Sequence, residues 1–137
     1  ETGDDVNHVP VEFGHRPTEQ EVFDEAVLHL ANQKMKSATQ EKNCVYRHKE
    51  GYACVVGHFI TDEVYHPKME GRNISYIIRR YNTFPRWMSD YRGLLYSLQG
   101  AHDKASGLYD LKRGLLEVAS KFDLSGEKVH DITVFVV

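Results

Sequence analysis

The stretch from Asn43 to Gly71 limits the fold more than any other part of this 137-residue chain. Cys44-Val45-Tyr46-Arg47 and Tyr52-Ala53-Cys54-Val55-Val56 are short β-prone runs on either side of His48-Lys49-Glu50-Gly51. Gly51 supplies the positive φ that such turns often need. The pattern predicts a hairpin. Pairing Tyr46 with Tyr52 sets Cys44 opposite Cys54. Cross-strand β-carbons lie about 4.5–5.5 Å apart, slightly wider than the usual disulfide separation. In an oxidising compartment Cys44 and Cys54 could form a disulfide, whereas in a cytosol two buried thiols are expected. After Gly57 comes an acidic turn with a histidine at each end, His58 to His66, and Thr61 is placed to cap a single helical turn that His66-Pro67 ends.

Helical signals surround the hairpin. Thr18 with Glu21 three residues on forms a capping box. Val22, Phe23, Ala26, Val27, Leu30 and Ala31 then recur at helical spacing to about Met35, and the polar run Ser37 to Lys42 is a connection. Asn73 to Tyr81 reads as a short helix that Thr83-Phe84-Pro85 breaks. The next helix carries Trp87, Met88, Tyr91, Leu94, Leu95 and Leu98 and closes near Gly100. Another follows Ser106, buries Leu108, Leu111, Leu115, Val118, Ala119 and Phe122, and ends at Leu124-Ser125-Gly126. The tail Ile132–Val137 is β-branched and aromatic and reads as a strand. An exposed apolar strand invites aggregation, so this one should join the hairpin sheet or pair with a partner chain, giving an oligomer. The expected architecture is α+β and helix-dominated, with four or five helices packed on a small antiparallel hairpin joined by the C-terminal strand. Residues 1–16 form an arm, with a short strand at Val9–Phe13, and residues 17–137 form one globular domain around one core.

With 41% hydrophobic and 27% charged residues and a formal net charge of −3, the composition is that of a soluble domain with no global field toward nucleic acid or anionic lipid. No apolar run approaches the roughly 20 residues a membrane helix requires. The start Glu1-Thr2-Gly3, without an initiator Met, looks like a cloning remnant left by cleavage of a secretion signal. Asn73-Ile74-Ser75 is an N-glycosylation acceptor if the chain meets that machinery.

Three groups of residues could carry chemistry. His58, Asp62 and His66 recur every four positions, which on a helix shares a face; imidazole and carboxylate together suit zinc, manganese or iron. Gly57 and Pro67 bracket the segment, and its plain alternative is a solvated turn whose Thr61 or Asp62 caps a helix. Cys44 and Cys54 alone cannot make a zinc site, which needs four ligands. Arg47, Arg79, Arg80, Arg86 and Arg92 are interleaved with Tyr46, Tyr76, Tyr81, Trp87 and Tyr91. Such mixtures grip phosphates and stack on bases or form protein-binding hot spots; otherwise Trp87 and Tyr91 are core residues with wet arginines opposite.

The run Cys-x-Tyr-Arg, Gly, Cys-x-Val-Gly-x-x-Ile-x-Asp-Glu-x-Tyr, Met-Glu-Gly and, far downstream, Leu-Gln-x-x-His-Asp resembles a group of small uncharacterised proteins encoded by tailed bacteriophages and prophages. The matching residues run from Cys44 to Gly71 and resume at Leu98, Gln99, His102 and Asp103. His58 and Thr61 depart from the pattern, which has a small residue and a Pro there. The resemblance implies a phage accessory protein in the bacterial host cytoplasm and no particular chemistry. Its polar matches, Asp62, Glu63, Glu70, His102 and Asp103, could build a metal-assisted hydrolase or nucleotide-processing site; alternatively His102 meets a helix dipole and Asp103 caps the next helix. The leading expectation is action by binding, to a host protein, through a face including Arg47, Tyr65, Arg79, Arg80, Arg86 and Arg92, with no cofactor. The rivals are that hydrolase and a nucleotide or nucleic-acid sequestering module. An open aromatic patch with the carboxylates scattered would favour binding; their convergence in one pocket would favour the enzyme.

Overall fold

Several helices start where a capping residue or a proline ends the preceding extended chain. The computed structural model describes residues 10–41 and 43–137. Thr18 opens α1 (Glu19–Gln33) with a complete capping box: its side chain accepts from the Glu21 N–H while the Glu21 carboxylate accepts from the Thr18 N–H. α2 (Val55–His58) is a single buried turn whose free N–H groups are met by side chains: the Cys54 sulfur accepts from the Gly57 N–H and the Gln99 side chain from the Val56 N–H. Asn73 caps α3 (Ile74–Arg80) by accepting from Tyr76. Pro85 precedes α4 (Arg86–Asp90), and Tyr91 joins it to α5 (Arg92–Lys104). Thus the single helix expected from Trp87 to Gly100 is two, and the second runs past Gly100. α6 (Leu108–Lys121) completes the set, and two 3-10 turns lie at Pro67–Met69 and Glu127–Asp131.

These elements share one core. α2 lies between α1 and α5, and α5 makes a helical hairpin with α6. A Cβ at Gly114 would lie 3.3 Å from that of Ala101, so the two helices meet closely there. Phe23 and Leu30 of α1, Ile77 of α3, Met88 of α4, Leu94, Leu95 and Leu98 of α5, and Leu111 and Leu115 of α6 are fully buried. Each such side chain contributes about 1.5–3 kcal/mol on transfer from water. The Glu127–Asp131 turn packs on α1 and α6 and carries the buried Val129.

The expected α+β architecture is not what forms. Among the described residues helix takes 52%, strand or bridge 5%, and there is no sheet. The hairpin shrinks to one antiparallel bridge, Arg47 with Ala53, and the tail to one parallel bridge, Met35 with Val136. Side chains have taken the backbone groups that a ladder would need. Gln33 of α1 accepts from the Ala53 N–H and donates to the Ala53 carbonyl, both at 2.9 Å. Glu70 accepts from the Tyr46 and Arg47 N–H groups at 2.8 and 3.1 Å. The turn itself forms as expected, with His48 N–H bonded to the Tyr52 carbonyl and Gly51 at φ 96°. Its register is two residues away from the expected one: Arg47 faces Ala53, so Cys44 has no place opposite Cys54, and both thiols are free. The tail pairs not with the hairpin but with the segment leaving α1, through Lys36 N–H to Val136 and Val136 N–H to Lys34. Ile132 and Phe135 are buried under it while Val134, Val136 and Val137 stay exposed.

Residues 1–9, including Glu1-Thr2-Gly3 and Val9 of the expected N-terminal strand, lie outside the described residues. Pro10 to Phe13 carry no regular structure, and Val11 N–H donates to the His58 carbonyl. Among the described residues no helix is long and apolar enough to cross a membrane.

Candidate functional site

The acidic turn holds itself together rather than gathering a reaction centre. Met69, fully buried, anchors the Pro67–Met69 turn and sets Glu70 under the hairpin. Besides its two backbone donors, the Glu70 carboxylate accepts from the Tyr65 hydroxyl at 2.7 Å. Burial first, and that bond to Glu70 next, push the Tyr65 phenol well above its ordinary range. Arg47 lies 4.4 Å over the Tyr65 ring, donates to the Ile60 carbonyl at 2.8 Å and pairs with Asp62 at 2.8 Å. Its buried Nε has no hydrogen-bond partner among the described residues. Tyr46 donates from its hydroxyl to the Arg72 carbonyl. Arg47, Tyr65 and Glu70 are therefore cross-braces of the turn, while Glu63 stands exposed elsewhere.

His58, Asp62 and His66 do not converge. His58 is buried, bonds to Glu25 at 2.9 Å and stacks on His29 with centroids 4.1 Å apart. His29 contacts the Ala53 carbonyl at 2.8 Å; burial, and then the charge of His58, bring its pKa down to about 3. Burial moves the Glu25 carboxyl the other way, upward. Asp62 is taken by Arg47, and His66 caps the 3-10 turn by accepting from Lys68 N–H.

A different set does come together. Cys44, His102 and Asp103 offer donor atoms within 4.8 Å of one another, beside an open cleft of ≈ 880 Å³ that Cys44, Cys54, Glu70 and Asp103 help to line. Cys44 is the member that sequence reading missed, because nothing local relates it to a residue 58 positions away. The spacing suits a metal; the hydrogen bonds do not. His102, fully buried, sits with Nδ1 2.9 Å from Asp103 and with Nε2 accepting from the Ser37 N–H at 3.1 Å. The neutral ring with its proton on Nδ1 satisfies both neighbours. A metal on Nδ1 would move that proton to Nε2, against the Ser37 N–H, whereas metal-bound imidazoles use the second nitrogen to donate to an acceptor. The same Nε2 contact removes His102 from general-base work. Asp103 does not cap α6 but lies in the last turn of α5, where Gln99 donates to it at 2.6 Å. Burial opposes its ionisation, yet the bonds from His102 and Gln99 prevail and its pKa falls below the ordinary carboxylate value. Gln99 in turn accepts from Val56 N–H at 2.9 Å, tying α5 to α2. Burial, with Asp103 adding to it, pushes the Cys44 thiol up to about 11, and burial raises Cys54 further, so neither is a ready thiolate nucleophile.

On another side is a groove of ≈ 740 Å³ between the N-terminal segment and the start of α4. Phe13, Phe59 and Trp87 form its aromatic wall: Phe13 stacks on Phe59 at 6.1 Å, and Trp87 meets them edge-on at 5.6 and 5.4 Å. Glu12, Glu63, Arg16 and Arg86 line the same groove. Arg16 and Arg86 share one carboxylate, Asp90, at 2.9 and 3.9 Å. The sequence left Trp87 open between the core and a recognition face; it is half-buried, packed against the core and turned partly to this groove. The available signal was an aromatic directly after Pro85-Arg86, a break followed by a charged residue.

Arg79, Arg80 and Arg92 remain exposed on α3 and α5. No family model, no curated protein and no solved structure matches the chain.

Proposed function

We propose that this chain is a small phage-type accessory protein that acts by binding, and that a host protein inserts an apolar segment into the groove of Phe13, Phe59 and Trp87. The observation that carries the reading is the division of labour among side chains. Glu70 holds backbone N–H groups, Asp62 holds Arg47, and His102 with Asp103 holds Ser37 and Gln99, whereas the aromatic groove is left open. Arginine and tryptophan at a partly desolvated centre are the residues from which binding hot spots are built. The groove's charges come in both signs, two arginines with two glutamates, which suits a peptide better than a polyanion such as nucleic acid or an anionic bilayer.

Trp87 is the single tryptophan, so its fluorescence reports directly on the groove. Capture from bacterial lysate with wild type and with the exposed-rim double variant Glu63→Arg, Arg86→Glu should give a host protein retained by the first and reduced at least about tenfold on the second. The purified partner should also shift or quench Trp87 emission. A partner held equally by both proteins, or one that leaves Trp87 unaffected, would refute the groove as the binding surface.

A further inference from the structure

The arginines of the middle of the chain are not distributed like the rest of its charge. From Arg72 to Arg92 there are five arginines and one acid, Asp90, a local +4 in a chain whose formal total is −3. Among the described residues Arg16, Arg47, Arg86 and Arg113 each have a carboxylate within ion-pair distance. Arg79 and Arg92 have none; Arg92 reaches only the Ser89 hydroxyl, at 3.3 Å. Both stand around one small surface notch of ≈ 430 Å³ lined by Ser75, Ile78, Arg79, Ser89 and Arg92.

The helices dictate that grouping. Ser75 and Arg79 are four apart on α3 and share a face, with Ile78 beside them. Ser89 and Arg92 are three apart across the α4–α5 junction, and α3 packs against α5. Two guanidinium groups and two hydroxyls therefore face one space whose lining contains no carboxylate. Guanidinium presents paired N–H donors that match phosphate oxygens, and hydroxyls add single donors between them. Without an anion, neither guanidinium has a counter-charge within ion-pair distance among the described residues.

We propose that the notch of Ser75, Arg79, Ser89 and Arg92 binds a phosphate group, carried by a mononucleotide or by a nucleic-acid strand. It shares no residue with the aromatic groove, so it stands or falls independently of that site. The notch offers donors for one phosphate, and a strand would extend from it toward the neighbouring Arg80, which lies 5.1 Å over the Tyr81 ring and has no carboxylate within ion-pair distance among the described residues.

The test uses the intact chain with inorganic phosphate, AMP and a short oligothymidine as probes, at constant ionic strength set with chloride. Phosphate should raise the melting temperature with a saturable dependence that chloride does not reproduce. Arg79→Ala and Arg92→Ala should each weaken phosphate binding about tenfold, and the pair together should abolish it. Both residues are exposed, so the variants' melts in chloride alone should match wild type and confirm that they fold. Oligothymidine binding at least tenfold tighter than AMP, with a steep fall as salt rises, identifies a strand as the source; equal affinities identify the single phosphate. A response that chloride reproduces, or that the double variant retains, overturns the proposal.

Discussion

Replacing Glu70 tests the assignment of the acidic turn as structure. In Glu70→Ala the Tyr46 and Arg47 N–H groups lose their acceptor, and Tyr65 loses the partner of its hydroxyl. Hydrogen bonds to a charged group are worth about 1.5–3 kcal/mol each, so the two backbone donors alone represent about 3–6 kcal/mol. Glu70 is half-buried, and water entering the space recovers part of this, leaving an expected loss of about 3 kcal/mol. For a domain of this size that lowers the melting temperature by about 10 °C. Glu70→Gln separates the contributions. Its carbonyl can still accept from Tyr46, while its amide must face the Arg47 N–H donor to donor, so about half of the loss is expected. Urea unfolding of the three proteins measures both numbers, with the denaturant slope unchanged if the native and unfolded states are otherwise alike. A glutamate kept for catalysis would behave differently, since removing a functional carboxylate is commonly neutral or stabilising. A loss below about 0.5 kcal/mol for Glu70→Ala would refute the reasoning, because that is the range of an ordinary surface change.

Two further substitutions probe the centre of the fold. His29 has a folded pKa of about 3 against about 6.5 unfolded, so between those values the unfolded chain binds the extra proton. The stability held above pH 6.5 should fall by up to about 1.4 kcal/mol per pH unit on acidification, and His29→Gln, whose amide can still reach the Ala53 carbonyl, should flatten that slope; urea midpoints from pH 7 to 4.5 decide it, and an unchanged slope in the variant would exclude His29 as the cause. At Gly57 a Cβ would lie 2.1 Å from the Tyr46 carbonyl oxygen, a clash with backbone that no rotamer relieves, so Gly57→Ala should cost about 3 kcal/mol or more; a thermal melt within about 2 °C of wild type would show that α2 can move off the hairpin.

The helix boundaries were legible because their causes are local. Thr18 with Glu21, Asn73, Pro85 and Gly51 act within four residues of themselves, and the structure places each as expected; the exceptions are the extra break at Tyr91, the run of α5 past Gly100, and α2, whose Val55 and Val56 were expected in a strand. The sheet was misread because its competitor is not local. Gln33 reaches Ala53 across 20 positions, Glu70 reaches Tyr46 across 24, and His102 reaches Ser37 across 65. In each case a side chain replaces the neighbouring strand as the partner of a backbone group, and β-prone residues then remain as irregular chain with isolated bridges. That same substitution explains why the polar residues that looked like chemistry were mostly not assembled as one site. Backbone groups buried outside regular structure must still find partners, and where the described residues build no sheet the demand falls on glutamate, glutamine and histidine. A cluster of such residues in an irregular stretch is first of all a supply of acceptors and donors for the loops around it. The two surfaces proposed for recognition are ones the loops do not consume: an aromatic groove beside Trp87, and a notch on α3 and α5 lined by two arginines and no carboxylate.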